Sequence, residues 1–198
     1  MSRGRPRKID PEMALEAAKN IFWQKGFDGT SMADLVEATG MAKPGLYATF
    51  GDKETLYAKA LEKYFSEGGS RLLDELLNSK LTVKETVRNF LTSIADGMFD
   101  KATPSGCFLT NCVVECENEL PKLEKIGRKY NDMRKIAFLD YFKAADKEGK
   151  LGVKADVLGL AEFYSGQALT LAVLDKAGTD RKRMERFIDT AMIVLDDT

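Results

Sequence analysis

The chain has 198 residues, 44% of them hydrophobic and 31% charged, with a formal net charge of −1. Such a chain is long enough to bury a core without disulfides or a metal, and so small a net charge excludes a generally basic, polyanion-coating protein. It contains no histidine, which removes imidazole acid–base catalysis and the commonest metal ligand.

The first eight residues depart from this balance. Arg3, Arg5, Arg7 and Lys8 form a basic arm without an acid. Residues 1–53 hold 8 Lys/Arg against 7 Asp/Glu, so the arm is basic and the rest of the head is not. No apolar h-region follows the N-terminus, and no run approaches the ~18 apolar residues of a membrane span. Cys107, Cys112 and Cys116 are too closely spaced for a disulfide framework. A reducing, cytoplasmic setting and no membrane are expected.

Asp10-Pro11 predicts a helix start, since Asp caps well and Pro suits the first helical position. Helix one runs to about Lys25, with Ala14, Ala17, Ala18, Ile21 and Phe22 on its apolar face and Gly26 as its stop. Ser31-Met-Ala-Asp34 reads as a capping box with Asp in place of Glu, opening a short helix to about Thr39. Gly40 makes a turn, and Lys43-Pro44 opens a third short helix ending near Phe50. Leu46 and Phe50 point to a small core. A fourth helix runs from Gly51-Asp52 toward Leu77, weakened at Gly68-Gly69. Helix five spans about Thr82 to Asp100, and a sixth starts at Pro104 and carries the cysteines. Helix seven runs from Pro121 to about Lys147. Helix eight, about Ala155 to Ala177, is apolar nearly all round. Helix nine starts at Asp180 and has a clean apolar stripe. The predicted fold is all-α with about nine helices: a three-helix head over 1–52, joined by a long helix to a larger helical domain over 53–198.

Three short helices with a tight glycine turn before the third read as a helix-turn-helix. The third lies in a major groove in such motifs, its N-terminal end toward base edges. Its outward residues are Lys43, Gly45, Tyr47 and Thr49: a charge for a phosphate or base, a position open to close approach, and two hydroxyls.

The run Thr30-Ser-Met-Ala-Asp-Leu-Val-Glu-Ala-Thr-Gly40, followed by Met41-Ala-Lys-Pro-Gly-Leu-Tyr-Ala-Thr-Phe-Gly-Asp-Lys53-Glu-Thr-Leu56, resembles the DNA-binding domain of the TetR family of bacterial regulators. The resemblance spans about residues 10–60. It implies a homodimer on a near-palindromic duplex operator, a ligand pocket in the C-terminal domain and release of DNA when ligand binds. It also implies Thr30, Ser31, Lys43, Tyr47 and Lys53 as DNA contacts. Ala42 stands where many relatives carry Ser or Thr, and Thr49 where many carry His; both departures bear on which operator is read. The arm Arg3-Gly-Arg-Pro6 resembles an AT-hook core, and Arg3 and Arg5 suit a narrow minor groove. The competing reading is a solvated tail.

For an unidentified small-molecule effector, the candidate lining is Phe90, Ile94, Met98, Cys107, Asn111, Met133, Phe138, Tyr141, Tyr164 and Gln167, apolar walls with few polar groups. The competing reading is plain core. Small residues along helix eight (Gly159, Ala161, Ser165, Gly166, Ala168, Ala172) and the stripe of helix nine predict a four-helix dimer interface. No cofactor, metal or catalytic residue is expected. Two alternatives remain open. Gly106-Cys-Phe-Leu-Thr-Asn111 resembles a segment found in part of the TetR family, in which the cysteine of some members senses oxidants or electrophiles, and a helix N-terminus favours the Cys107 thiolate. The other is a helical enzyme or carrier with a decayed DNA-binding head.

Overall fold

The computed structural model describes residues 9–115, 120–152 and 155–195. Arg3, Arg5, Arg7, Lys8 and Cys116 lie outside the described residues. Every regular element among the described residues is helical: α1 (Pro11–Lys25), α2 (Met32–Thr39), α3 (Lys43–Phe50), α4 (Lys53–Tyr64), a π segment (Phe65–Gly69), α5 (Ser70–Leu77), α6 (Val83–Met98), α7 (Phe108–Glu115), α8 (Pro121–Lys147), α9 (Val157–Lys176), α10 (Arg181–Ala191) and a final 3-10 turn (Met192–Leu195).

The helix starts are fixed by side chains taking up free N–H groups. Asp10 accepts from the Glu12 N–H at 2.9 Å. Ser31 and Asp34 cap each other reciprocally, the Asp34 N–H donating to Ser31 Oγ at 3.1 Å and the Ser31 N–H to Asp34 Oδ2 at 2.7 Å. Asp52 opens α4 by accepting from the Thr55 N–H at 2.7 Å, and Thr82 and Glu85 form a second capping box on α6.

Two stretches differ from expectation. The fourth helix does not run on as α-helix through Gly68-Gly69 but widens there into the π segment. The Phe65 ring leans over Gly69, where a Cβ would come within 2.6 Å of it, and stacks on Tyr130 with centroids 4.3 Å apart. The sixth helix begins at Phe108, not Pro104. Gly106 takes a left-handed φ of 79°, and Asp175 at the end of α9 accepts from Ser105 Oγ at 2.8 Å and from the Gly106 N–H at 2.6 Å. Those bonds hold the approach to α7 as a loop.

The core has two parts, and the division does not fall at residue 52. One part joins Phe22 and Trp23 of α1, Leu35 of α2, Leu46 and Phe50 of α3 and Leu56, Tyr57 and Leu61 of α4 to Phe108 and Cys112 of α7 and Leu123 and Tyr130 of α8. The other joins Leu76 of α5, Val87, Phe90 and Leu91 of α6, Phe138 and Phe142 of α8, Leu160, Tyr164 and Leu171 of α9, and Met184 and Ile188 of α10. Helix α8 thus crosses from one core to the other. Helix α9 was not expected to suit a membrane, yet its 20 residues include an 18-residue stretch of mean hydropathy 1.4, long and apolar enough to cross one. Ala161, Tyr164, Leu171 and Ala172 bury one side of it within the protein.

Candidate nucleic-acid interface

The head presents α3 because its opposite face is held by the core. Leu46 and Phe50 are buried, one turn apart, whereas Lys43, Tyr47 and Thr49 are exposed and Gly45 is half-buried. The turn that aims α3 depends on Gly40, which closes α2 in the left-handed conformation at φ 69° and donates its N–H to the Val36 carbonyl at 3.0 Å. A side chain at that φ is strained. Within the turn, Thr39 Oγ1 donates to the Leu35 carbonyl at 2.6 Å and accepts from the Met41 N–H at 3.2 Å.

Helix α3 is eight residues long, and the diameter of an α-helix with its side chains, about 10–12 Å, suits a major groove about 12 Å wide. Ala42 provides no side-chain cap and the first turn carries no acid, so the positive end of the helix is left for an anion. Lys43 Nζ lies 6.0 Å from the centre of the Tyr47 ring. Lys53, at the first position of α4, rests its ammonium 4.2 Å from the centre of the Phe27 ring. Burial pushes its pKa down and the charge of Asp28 pushes it back up.

The residues expected at the interface do not all face it. Thr30 is fully buried, and its hydroxyl donates to the Gly26 carbonyl at 2.6 Å. It braces the loop between α1 and α2 and has no free face for a phosphate, so it leaves the set of candidate contacts. Ser31 is exposed, but its Oγ is engaged with Asp34. Asp34 is held well below the usual carboxylate range by hydrogen bonds from Lys25 and Ser31.

The ten effector candidates fall into separate places. Phe90, Phe138 and Tyr164 are buried in the second core, with Ile94, Met98 and Tyr141 packed against it. Phe138 lies 4.9 Å from Phe90 and 6.3 Å from Tyr164, centroid to centroid, so these rings fill one another's space as core does. The Tyr164 hydroxyl donates to the Ala191 carbonyl at 2.9 Å, tying α9 to the end of α10. Gln167 is half-buried on α9. Met133 is 37% exposed on the outer face of α8 and lines no interior wall with them. Cys107 and Asn111 belong to the other core, at the start of α7.

There the structure adds residues that sequence reasoning passed over. Trp23 Nε1 donates to the Gly106 carbonyl at 3.1 Å, linking α1 to the loop before α7. The Tyr64 hydroxyl, at the end of α4, donates to Cys107 Sγ at 3.5 Å. Lys19, nearly buried on α1, pairs with Glu67 of the π segment at 2.5 Å, and Lys63 reaches the same carboxylate at 2.7 Å. The one sequence signal for these ties was the single tryptophan.

The family model for bacterial regulatory proteins of the tetR family matches residues 14–60. The chain is 28% identical over 191 residues to the HTH-type transcriptional repressor ComR of Escherichia coli K12, covering 96% of this chain and 91% of that one. It is 31% identical over 138 residues to the HTH-type transcriptional repressor BdcR of the same organism, covering 70% and 68%. Its fold superposes with a TM-score of 0.89 on a cysteine mutant of the TetR family transcriptional regulator CifR complexed with 26-bp operator DNA, at 27% identity over 97% of this chain and 100% of that one. With a helix-turn-helix whose second helix turns one face to its own core and the other outward, and with these relatives, the chain belongs to the TetR family of bacterial DNA-binding transcriptional regulators.

Proposed function

We propose that the protein is a cytoplasmic repressor that binds a near-palindromic operator as a homodimer and leaves it when a small molecule occupies its helical half. The observation that carries the reading is the outward face of α3: Lys43, Tyr47 and Thr49 exposed beside an uncapped helix start, with Gly45 between them. Lys43 and Lys53 supply phosphate contacts, Tyr47 and Thr49 face base edges, and Arg3 and Arg5 extend into the flanking minor groove. Residues 1–52 act as the reading head, and residues 53–198 sense and dimerise. Leu158, Phe163 and Val173 on α9 and Ile193 and Val194 beyond α10 are exposed apolar residues, and a second copy covering them is the natural way to keep them from water. The relatives ComR and BdcR are transcriptional repressors.

This reading gives the chain no catalytic step, and an intact α2–turn–α3 head does not suit an enzyme that has lost DNA binding. Sensing by Cys107 is not favoured, because its thiol is half-buried and engaged by the Tyr64 hydroxyl. Footprinting on the promoter of its own gene tests the reading, repeated with candidate metabolites. The expected result is a protected near-palindrome with half-sites about one helical turn, roughly 10 bp, apart or somewhat more. Binding by a monomer to one asymmetric half-site would overturn it.

A further inference from the structure

Several cations of this protein, nearly buried or exposed, pair with an acid. Lys19 and Lys63 share Glu67, Arg88 meets Asp189, and Arg128 meets Glu124. Arg134 differs. It lies on α8 two turns beyond Gly127, where a Cβ would strike Val113 at 2.6 Å, so this face of α8 lies against α7. Among the described residues, the ionisable groups that bear on the guanidinium are the Cys107 thiol and the Tyr64 hydroxyl, and burial pushes its pKa below the ordinary arginine value. Its Nη2 donates to Asn131 Oδ1 at 2.7 Å, a neutral partner. Its Nε is closed off from solvent without a partner among the described residues. A half-buried cation whose Nε is closed off in this way is costly to the fold.

A second donor is stranded at the same end of α7. Asn111 follows Cys107 by one helical turn, so the two side chains share a face. Asn111 is 7% exposed, and its Nδ2 has no partner among the described residues. Its Oδ1 lies beneath the loop, 3.2 Å from where a Cβ on Gly106 would sit. The partnerless guanidinium Nε and the partnerless amide N–H therefore belong to one junction, where α4, α7 and α8 join beside the Tyr64 hydroxyl.

We propose that this junction binds the carboxylate of a small organic acid, held by Arg134 with Asn111 and Tyr64, and that this is the effector site of the regulator. The proposal rests on the repressor reading above. A monoanion fits because one guanidinium offers one compensating charge, and a fork of N–H groups matches a carboxylate. An apolar body fits because the surroundings are rings: Phe65 stacked on Tyr130, and Phe108 packed edge-on against Tyr64. The same place controls the head. The carbonyl that Trp23 of α1 grips belongs to Gly106, next to Cys107, and Tyr64 is the last residue of α4. An acid drawn in here competes for the Tyr64 hydroxyl and loads the loop that ties α1 to the sensor half.

The test is thermal unfolding of the full chain without DNA, with benzoate or hexanoate at about 10 mM, a concentration suited to ligands of this size. Benzamide, hexanamide and inorganic phosphate serve as controls. The acids should raise the Tm and the amides should not. Arg134→Met should raise the Tm of the ligand-free protein, because it removes an uncompensated cation, and should weaken acid binding about tenfold or more. Arg134→Lys, which keeps the charge and loses the fork, should bind the acids with intermediate affinity. The proposal is overturned if ligand-free Arg134→Met unfolds earlier than wild type, since Arg134 is then structural. It is equally overturned if amides act like acids, if phosphate outdoes the carboxylates, or if neither acid shifts the wild type. Should Arg134→Met not fold, Arg134 is again structural. Operator binding by wild type without any acid is measured separately, so failure of the repressor reading is distinguishable from failure of this site.

Discussion

Thr30 lies just before α2 and Lys43 opens α3, and the two spend their polar atoms in opposite directions. Thr30 points its hydroxyl inward to the Gly26 carbonyl, whereas Lys43 extends from the exposed start of α3. Lys43→Ala should weaken binding to all duplexes alike and reduce the slope of log affinity against log salt by about one. Thr30→Val should leave that slope unchanged and cost about 1 kcal/mol of stability in urea unfolding, the worth of one intramolecular hydrogen bond. A shared loss of slope would return Thr30 to the interface. Residue type and spacing were enough to place Lys43, Tyr47 and Thr49 on an outward face. They were not enough for Thr30, because a threonine before a capped helix reads the same whether its hydroxyl serves a phosphate or a carbonyl four residues back. Arg134 was illegible for a similar reason: a basic residue on a long polar helix looks solvated until the start of α7, over twenty residues earlier in the chain, is seen to cover it.

At the scale of elements, the caps were the legible part. Asp10, Ser31 with Asp34, and Gly40 act within their own few residues, so local sequence determines them. The π segment was not legible, because its cause is a ring stack between Phe65 and Tyr130 on another helix. The segment also carries Glu67, whose carboxylate binds Lys19 and Lys63. Burial pushes the Glu67 pKa up, but the hydrogen bonds and charges of the two lysines outweigh it, and the net shift is downward. A depressed folded-state pKa gives stability that is present above the unfolded value of about 4.3 and is lost as pH falls through the folded value. Glu67→Gln should therefore destabilise the protein at neutral pH and make little difference once the pH is well below 4.3. The neutral-pH loss should be about 1–2 kcal/mol, below that of a fully buried pair because Glu67 is 43% exposed. Unfolding curves of both proteins across pH 3–7 decide it, and a constant gap at every pH would mean that packing and not charge holds α1 to this segment.

For the whole molecule, α9 has to satisfy two surfaces. Its inner side packs in the second core, and its outer side leaves Leu158, Phe163 and Val173 uncovered. An apolar face of that kind drives association when a second copy can match it. Val173→Glu should bring the sedimenting mass from about twice 22.0 kDa to 22.0 kDa and lower operator affinity by about two orders of magnitude or more, because each head then binds alone and without effective concentration from its mate. A variant that remains dimeric would move the interface elsewhere. The all-round apolar character of this helix was visible in the sequence; which side met its own chain was not, since that depends on packing against α6 and α8.

The core shared between the head and α7–α8 bears on how such regulators are recombined. A graft that cuts at residue 52 would part Phe22, Leu46 and Phe50 from Tyr57, Phe108 and Leu123, exposing rings on both fragments. The operator-reading part is therefore not a detachable cartridge. A chimera that borrows it must also bring α4, α7 and the first turns of α8, or redesign both sides of the seam together. By the same reasoning, a change of operator preference confined to the outward face of α3 can accumulate freely, because Lys43, Tyr47 and Thr49 are exposed and belong to neither core.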